Sequence, residues 1–319
     1  MVKILANDGI SKSGIEALEE KGFEVITEKV NQEDLISTIN SENYEVLLVR
    51  SATTARKELI DACPNLKIIG RGGVGMDNID VEYAKEKGLE VYNTPAASSS
   101  SVAELVFSHL FGMVRFLYES NRQMPLEGDT NFKDLKKAYA GGKELAGKTL
   151  GIIGFGKIGQ EVAKRAIGLG MNVLTHDKFT TEASITLSFF NGDKKTFTIE
   201  TTSLENVLEG SDFVTLHIPK TGEKAVIGAE EIELMKTGAG IINTARGGVI
   251  DEDALMFALD KGKLEYAALD VFTNEPNPSM YLMMHNSISL TPHIGAATLE
   301  AQDRIGAELA DKIITFFNK

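Results

Sequence analysis

Short runs of aliphatic and β-branched residues alternate along the chain with stretches whose apolar positions recur at helical spacing. In the first third the runs cover 2–6, 24–27, 45–50, 66–70 and 89–93. A second series covers 149–154, 172–177, 213–217, 240–245, 266–271 and 288–291. Such alternation predicts parallel strands joined by crossover helices, an α/β class with two doubly wound units. Asn31 with Asp34 predicts a helix cap and Gly88 a helix stop. The apolar pattern over 99–122 predicts one uninterrupted helix, with Ser98, Ser99, Ser100 and Ser101 offering its cap. Residues 123–147 are polar and glycine-bearing and read as a loop. A final helix is predicted over 299–317. The rhythm fails once: 185–200 alternates apolar and polar residues around Asn191–Gly192, which predicts a β-hairpin where a crossover helix belongs. It reads as a surface hairpin, or else as a ligand-pocket wall or an interface element.

The length, 319 residues, suits two domains. A net charge of −13 argues against nucleic acid or an anionic membrane as partner, because both are polyanions. A small molecule is the expected partner. Cys63 is the sole cysteine, which excludes an internal disulfide and fits a reducing compartment. The N-terminal MVKILANDGI lacks a signal-peptide core, and no run is apolar over a membrane's thickness, so a cytoplasmic protein is expected.

The segment TLGIIGFGKIG sets Gly154, Gly156 and Gly159 at G-x-G-x-x-G spacing, with a strand before and a helix over 157–170. The first glycine allows a tight turn, the second clears space for a pyrophosphate, and the third lets helix and strand approach. Lys157 and Ile158 open that helix, whose N-terminus offers free N–H groups to phosphates. The next strand ends in Asp177, eighteen residues beyond Gly159. A carboxylate there would accept both ribose hydroxyls and repel a 2′-phosphate, which favours NAD over NADP. His176 reads as a bystander.

Three polar residues stand at or near the ends of second-series runs: Arg246 after IINTA, Glu275 in LDVFTNEP and His293 in LTPHIGA. In open α/β sheets, ligands collect at the carboxyl ends of strands. Singly, each has an ordinary reading as a loop or capping residue. Together, behind a dinucleotide motif, they suit hydride transfer at C2 of a small 2-hydroxy or 2-keto acid. His293 would take the hydroxyl proton, Glu275 would fix its tautomer, and Arg246 would bind the carboxylate and polarise the keto oxygen. No metal is called for.

Through GFGKIG (154–159), NTARGGVIDEDAL (243–255), AALDVFTNEP (267–276) and TPHIGAAT (291–298), the chain resembles the D-isomer-specific 2-hydroxyacid dehydrogenase family nearly end to end. The resemblance implies a Rossmann domain at 99–293 inserted into a flavodoxin-like substrate domain made of 1–98 and 294–319. It also implies an active-site cleft and a homodimer formed mainly through the Rossmann domain. Thr244 and Asp270 would contact the nicotinamide half, His217, Ile218 and Pro219 would pack near the adenine, and Ala245 and Gly295 would also bind the cofactor. LLVRSATT (47–54), IIGRGGVGMDNID (68–80) and VYNTPAASSSSVAEL (91–105) resemble family members whose substrate carries a phosphate. By those matches Arg50 and Ser51 bind the substrate's far end, Arg71 helps with its phosphate, and the N–H groups of Gly72, Gly73, Val74 and Gly75 hold its carboxylate.

The chain departs from the family in ending just after the last helix, so serine feedback through a further domain is not expected. It also lacks the tryptophan common around 128–137, and the 185–200 hairpin replaces a shorter segment. Two other readings stay open: a sister reductase acting on hydroxypyruvate, glyoxylate or D-lactate, and an NAD-sensing corepressor-like binding protein.

Overall fold

In the computed structural model, which describes residues 1–318, the β-branched runs become thirteen strands. The chain divides into two compact units, Met1–Ser101 with the chain from Ala296 onward, and Val102–Gly295. The first boundary falls inside a helix, Ser99–Val114.

The first unit holds β1 (Lys3–Ala6), β2 (Glu24–Ile26), β3 (Val46–Val49), β4 (Ile68–Arg71) and β5 (Glu90–Asn93) in the order β2-β1-β3-β4-β5, all parallel. All four residues of β3 are buried, as expected of a parallel strand covered on both faces. Ala310 and Ile313 of the helix Leu299–Phe317 pack on one face against Ile4, Val46 and Ile68. Leu5, Leu47 and Ile69 fill the other with Leu35, Ile39 and Leu59. Asp34 does precede the helix Leu35–Glu42, yet its side chain makes no capping bond. Gly88 ends the helix Val81–Glu86 with φ +84°, a backbone that favours glycine.

The second unit holds β6 (Thr149–Ile153), β7 (Asn172–His176), β8 (Glu182–Ser188), β9 (Lys194–Glu200), β10 (Phe213–Leu216), β11 (Ala239–Asn243), β12 (Leu264–Leu269) and β13 (Ile288–Leu290). Six of these form one parallel sheet in the order β13-β12-β11-β10-β6-β7. Leu150 and Ile152 of β6 enter one core layer, and Ile153 enters the other. The chain reverses its direction of travel across the sheet at β6, so a crevice opens at that strand's carboxyl end.

β8 and β9 form the separate antiparallel hairpin that the alternating pattern indicated, beginning at Glu182 rather than at 185. Ile185 is buried in the core with Val162, Ala163 and Ala166 of the helix Lys157–Gly168, while Phe190 at the tip is fully exposed.

Three expectations fail. The helix expected over 99–122 is two helices, Ser99–Val114 and Leu117–Glu127, bent by 54°. Phe116 at the break has φ +54°, and the freed Val114 carbonyl accepts from the Lys143 N–H. The segment 123–147 is also not one loop, because the second helix continues through Pro125 and another spans Phe132–Ala138. Ser98, just before the helix, does not cap it, because its hydroxyl is buried without a hydrogen-bond partner. Among the described residues, no single helix is long and apolar enough to cross a membrane.

Candidate active site

The glycine turn follows β6 at the point of reversal. Gly154 has φ +97°, and a Cβ there would lie 2.5 Å from the His217 carbonyl oxygen. A Cβ on Gly159 would lie 2.1 Å from the Gly154 oxygen, so the helix Lys157–Gly168 can start against the turn only with glycine at that position. A Cβ on Gly156 would meet nothing within 4 Å. Gly156 is the N-cap of that helix, so its missing side chain leaves open the space before the first free N–H groups. The turn therefore fits a dinucleotide pyrophosphate. Lys157 is exposed, and Ile158 packs against the core.

Asp177 follows β7. One of its oxygens accepts from the Phe155 N–H at 2.7 Å, and the other from Phe179 and Thr180 at 2.8 and 2.9 Å. Burial works to raise the Asp177 pKa, but these N–H groups outweigh it and hold the carboxyl below its ordinary value. The residue chosen as a ribose ligand thus also pins the glycine turn. After β10, the backbone N–H of His217 bonds to Ile153, and its ring Nε2 lies 3.0 Å from the Thr215 hydroxyl. Its Nδ1 is buried without a partner, and burial depresses the ring's pKa to about 3. Ile218 packs on the core and Pro219 is exposed.

Arg246, Glu275 and His293 follow β11, β12 and β13, three adjacent parallel strands, so all three leave one edge of the sheet. Asn243, buried at the end of β11, folds the first turn. Its amide donates to the Arg246 carbonyl, and its oxygen accepts from the Ala245 N–H. The Thr244 hydroxyl inside this turn is buried without a partner, as a contact reserved for a bound group would be. A Cβ on Gly247 would lie 1.8 Å from the Phe272 oxygen, so the Arg246 turn rests backbone to backbone on the next loop. In that loop the Phe272 N–H donates to Glu275 Oε1 at 2.9 Å. The other Glu275 oxygen, Oε2, lies 2.8 Å from His293 Nδ1. A carboxylate accepts, so Nδ1 carries the proton and Nε2 keeps its lone pair. Nε2 has no partner among the described residues.

His293 itself has φ +55°, a strained backbone for a residue with a Cβ. Buried Asp270, just past β12, holds it there. Its carboxylate accepts from the Thr291 hydroxyl at 2.6 Å and from the N–H groups of Ile294 and Gly295 at 2.8 Å each. Asp270, chosen as a nicotinamide contact, thus clamps the loop on both sides of the histidine, and Gly295 is close because a Cβ there would lie 3.1 Å from Asp270 Oδ2.

In the first unit, Arg50 follows β3. Its N–H donates to Asp8 Oδ2 at 2.7 Å, and its carbonyl accepts from the Asn78 amide. Its guanidinium has no partner among the described residues. Arg50 lines a cavity of about 160 Å³ together with Ser11, Gly72 and Gln302. Ser51 is exposed. The guanidinium of Arg71, at the end of β4, covers the Gly73 Cα, where a Cβ would lie 2.2 Å from Nη1. The expectation for the turn at 72–75 needs correction. The Gly72 and Gly73 N–H groups are spent on the Val49 and Arg71 carbonyls, which leaves those of Val74 and Gly75 for an anion.

Sequence reasoning passed over Asp8, Asn78, His109 and Asn243. Asp8, two residues past the first strand and beside Gly9, and Asn243, within the NTARGG motif, carry a local signal; Asn78 and His109 carry none.

Residues 107–295 match the family described as D-isomer specific 2-hydroxyacid dehydrogenase, NAD binding domain. The chain is 42% identical over 316 residues to the hydroxypyruvate reductase of Thermotoga maritima, covering 98% of this chain and 97% of that one. It is 41% identical over 315 residues to the D-3-phosphoglycerate dehydrogenase of Methanocaldococcus jannaschii, covering 98% of this chain but only 57% of that relative. The NAD+-bound 3-phosphoglycerate dehydrogenase of Entamoeba histolytica superposes with a TM-score of 0.76 at 29% identity, covering 100% of this chain and 96% of that one. With a glycine turn shaped for the dinucleotide and these likenesses along nearly its whole length, the chain belongs to the D-isomer-specific 2-hydroxyacid dehydrogenases, enzymes that work with NAD.

Proposed function

We propose that the protein oxidises D-3-phosphoglycerate to 3-phosphohydroxypyruvate, the first step of serine synthesis from glycolysis. The observation that supports the chemistry is the Glu275–His293 contact, which leaves Nε2 as the unengaged nitrogen. That nitrogen takes the C2 hydroxyl proton as the C2 hydrogen departs as hydride and the C–O bond becomes a carbonyl. Glu275 stabilises the imidazolium so formed. NAD, when bound, supplies the hydride acceptor. Arg246 binds the carboxylate and, in the reverse direction, polarises the keto oxygen. Asp177 and the glycine turn hold the dinucleotide. Arg50, Ser51 and Arg71 take the phosphorylated end, and Val74 and Gly75 offer N–H groups to the carboxylate. Arg50 supports the phosphorylated substrate, since its guanidinium is unmatched by any carboxylate among the described residues.

A second reading, reduction of hydroxypyruvate, is favoured by the full-length likeness to the Thermotoga maritima reductase; it has no use for the Arg50 charge. NADH formation with 3-phosphoglycerate, set beside NADP and hydroxypyruvate controls, separates the two. Arg50→Ala should raise KM for phosphoglycerate about tenfold or more and leave hydroxypyruvate turnover nearly unchanged; an unchanged phosphoglycerate KM hands the site to the second reading. His293→Asn should cut kcat by roughly 10²- to 10⁴-fold with NADH binding retained. Turnover that survives this change removes His293 from the reaction. We also propose a cytoplasmic homodimer. The helix Leu117–Glu127 buries none of its residues and exposes Leu117, Tyr118 and Leu126, which suits contact with a second copy. A monomer in sedimentation at micromolar concentration would exclude that.

A further inference from the structure

His109 lies in the second unit on the helix Ser99–Val114, 180 residues before the strand it touches. It is buried, and both ring nitrogens are engaged: Nδ1 with the Ser289 hydroxyl at 2.8 Å, and Nε2 with the Thr291 hydroxyl at 3.1 Å. The Thr291 hydroxyl gives its own proton to Asp270. Its oxygen can therefore only accept from the imidazole, which places the His109 proton on Nε2. Nδ1 then accepts from Ser289. Every atom in the line has a fixed direction, from Ser289 through His109 and Thr291 to Asp270. Asp270 in turn holds the N–H groups of Ile294 and Gly295, the two residues after His293.

We propose that His109 is a positioning residue for proton transfer, acting through Thr291 and Asp270 on the turn that carries His293; this rests on the dehydrogenase reading above. The turn needs such support because the His293 backbone is left-handed, and a loosened loop would relax it away from the working position. His109 never touches substrate. Its ring stays uncharged, because burial lowers its pKa more than the nearby Asp270 charge raises it. A neutral ring keeps the hydrogen-bond directions fixed at physiological pH.

His109→Leu removes both bonds and should lower kcat about ten- to a hundredfold while KM and the NADH dissociation constant stay within about twofold. His109→Gln can accept from Ser289 and donate to Thr291, and should recover most of that loss. Thr291→Val cuts the line one step later, so His109→Leu added to it should cost almost nothing further in kcat. An unchanged kcat in His109→Leu, no recovery with Gln, or additive losses with Thr291→Val would each overturn the proposal. If the leucine variant does not fold, His109→Gln combined with Thr291→Val decides the matter: the double variant must match Thr291→Val alone, and any additional kcat loss refutes the relay. Turnover that persists in His293→Asn would instead remove His293 from the reaction, and with it the reading of the site on which this relay rests, a separate outcome.

Discussion

Two turns, one in each unit, are built alike. In the first unit Asp8 accepts the N–H groups of Arg50 and Thr53 and the Thr53 hydroxyl; in the second, Asp270 accepts the N–H groups of Ile294 and Gly295 and the Thr291 hydroxyl. Each buried carboxylate gathers two backbone amides and one threonine around a charged or titratable side chain at the end of a parallel strand. They differ behind the carboxylate. Asp8 also meets Lys29 at 3.1 Å, and Lys29 is itself more than half exposed. Asp270 has no ion-pair partner among the described residues and is backed through Thr291 by the neutral His109. One clamp is balanced by a solvated cation and the other by an uncharged hydrogen-bonded line. The first suits a turn that needs only to present an arginine; the second suits a turn that must hold a strained backbone at one place.

This contrast can be broken by experiment. Asp270→Asn should have the largest effect. Its amide would face a donor, leaving a buried N–H or hydroxyl unmatched at a cost of about 2–3 kcal/mol in urea unfolding. Displacement of the histidine turn should lower kcat about a hundredfold. Asp8→Asn comes next, at about 1–2 kcal/mol by the same measurement, with KM for phosphoglycerate raised and kcat nearly kept. If both variants strike the same kinetic parameter, the division of labour between the turns is wrong.

Lys29→Met should be the mildest, about 0.5 kcal/mol and smaller still in high salt, because the pair is partly solvated. The acid limb sharpens the same point. Burial raises the Asp8 pKa, but the Arg50 N–H, the Thr53 hydroxyl and Lys29 outweigh it and hold the carboxyl below its ordinary value. Its contribution is therefore complete above the unfolded value, near pH 4, and is lost as pH falls through the lower folded value. Thermal unfolding from pH 5 downward should show a shallower decline in Asp8→Asn than in the parent. Equal slopes would mean the clamp gives no linked stability.

The sequence announced the strands, because each buried parallel strand needs a run that is apolar on both faces. It also announced the glycine turn, where positions 154 and 159 admit no side chain. The residue types of Arg246, Glu275 and His293 declared their chemistry, and the Glu275–His293 contact follows from the neighbouring strands that carry them. The clamps were hidden. His109 is bonded to residues 180 and 182 positions away, and an apolar helix face gives no sign that one of its members is an imidazole with two appointed partners. The bend at Phe116 was hidden for a different reason: a phenylalanine with positive φ violates local preference, and tertiary bonds such as Lys143 N–H to Val114 compensate for it. Pro125, within the stretch read as a loop, sits inside a helix.

The left-handed backbone at position 293 sets two selective pressures against each other. A glycine or an asparagine would rest there with less strain than an imidazole-bearing residue, and a chain tuned only to endure heat would drift toward one of them. Resistance to denaturation and reactivity are thus traded at a single pair of torsion angles, and the histidine stands where folding by itself would have discarded it.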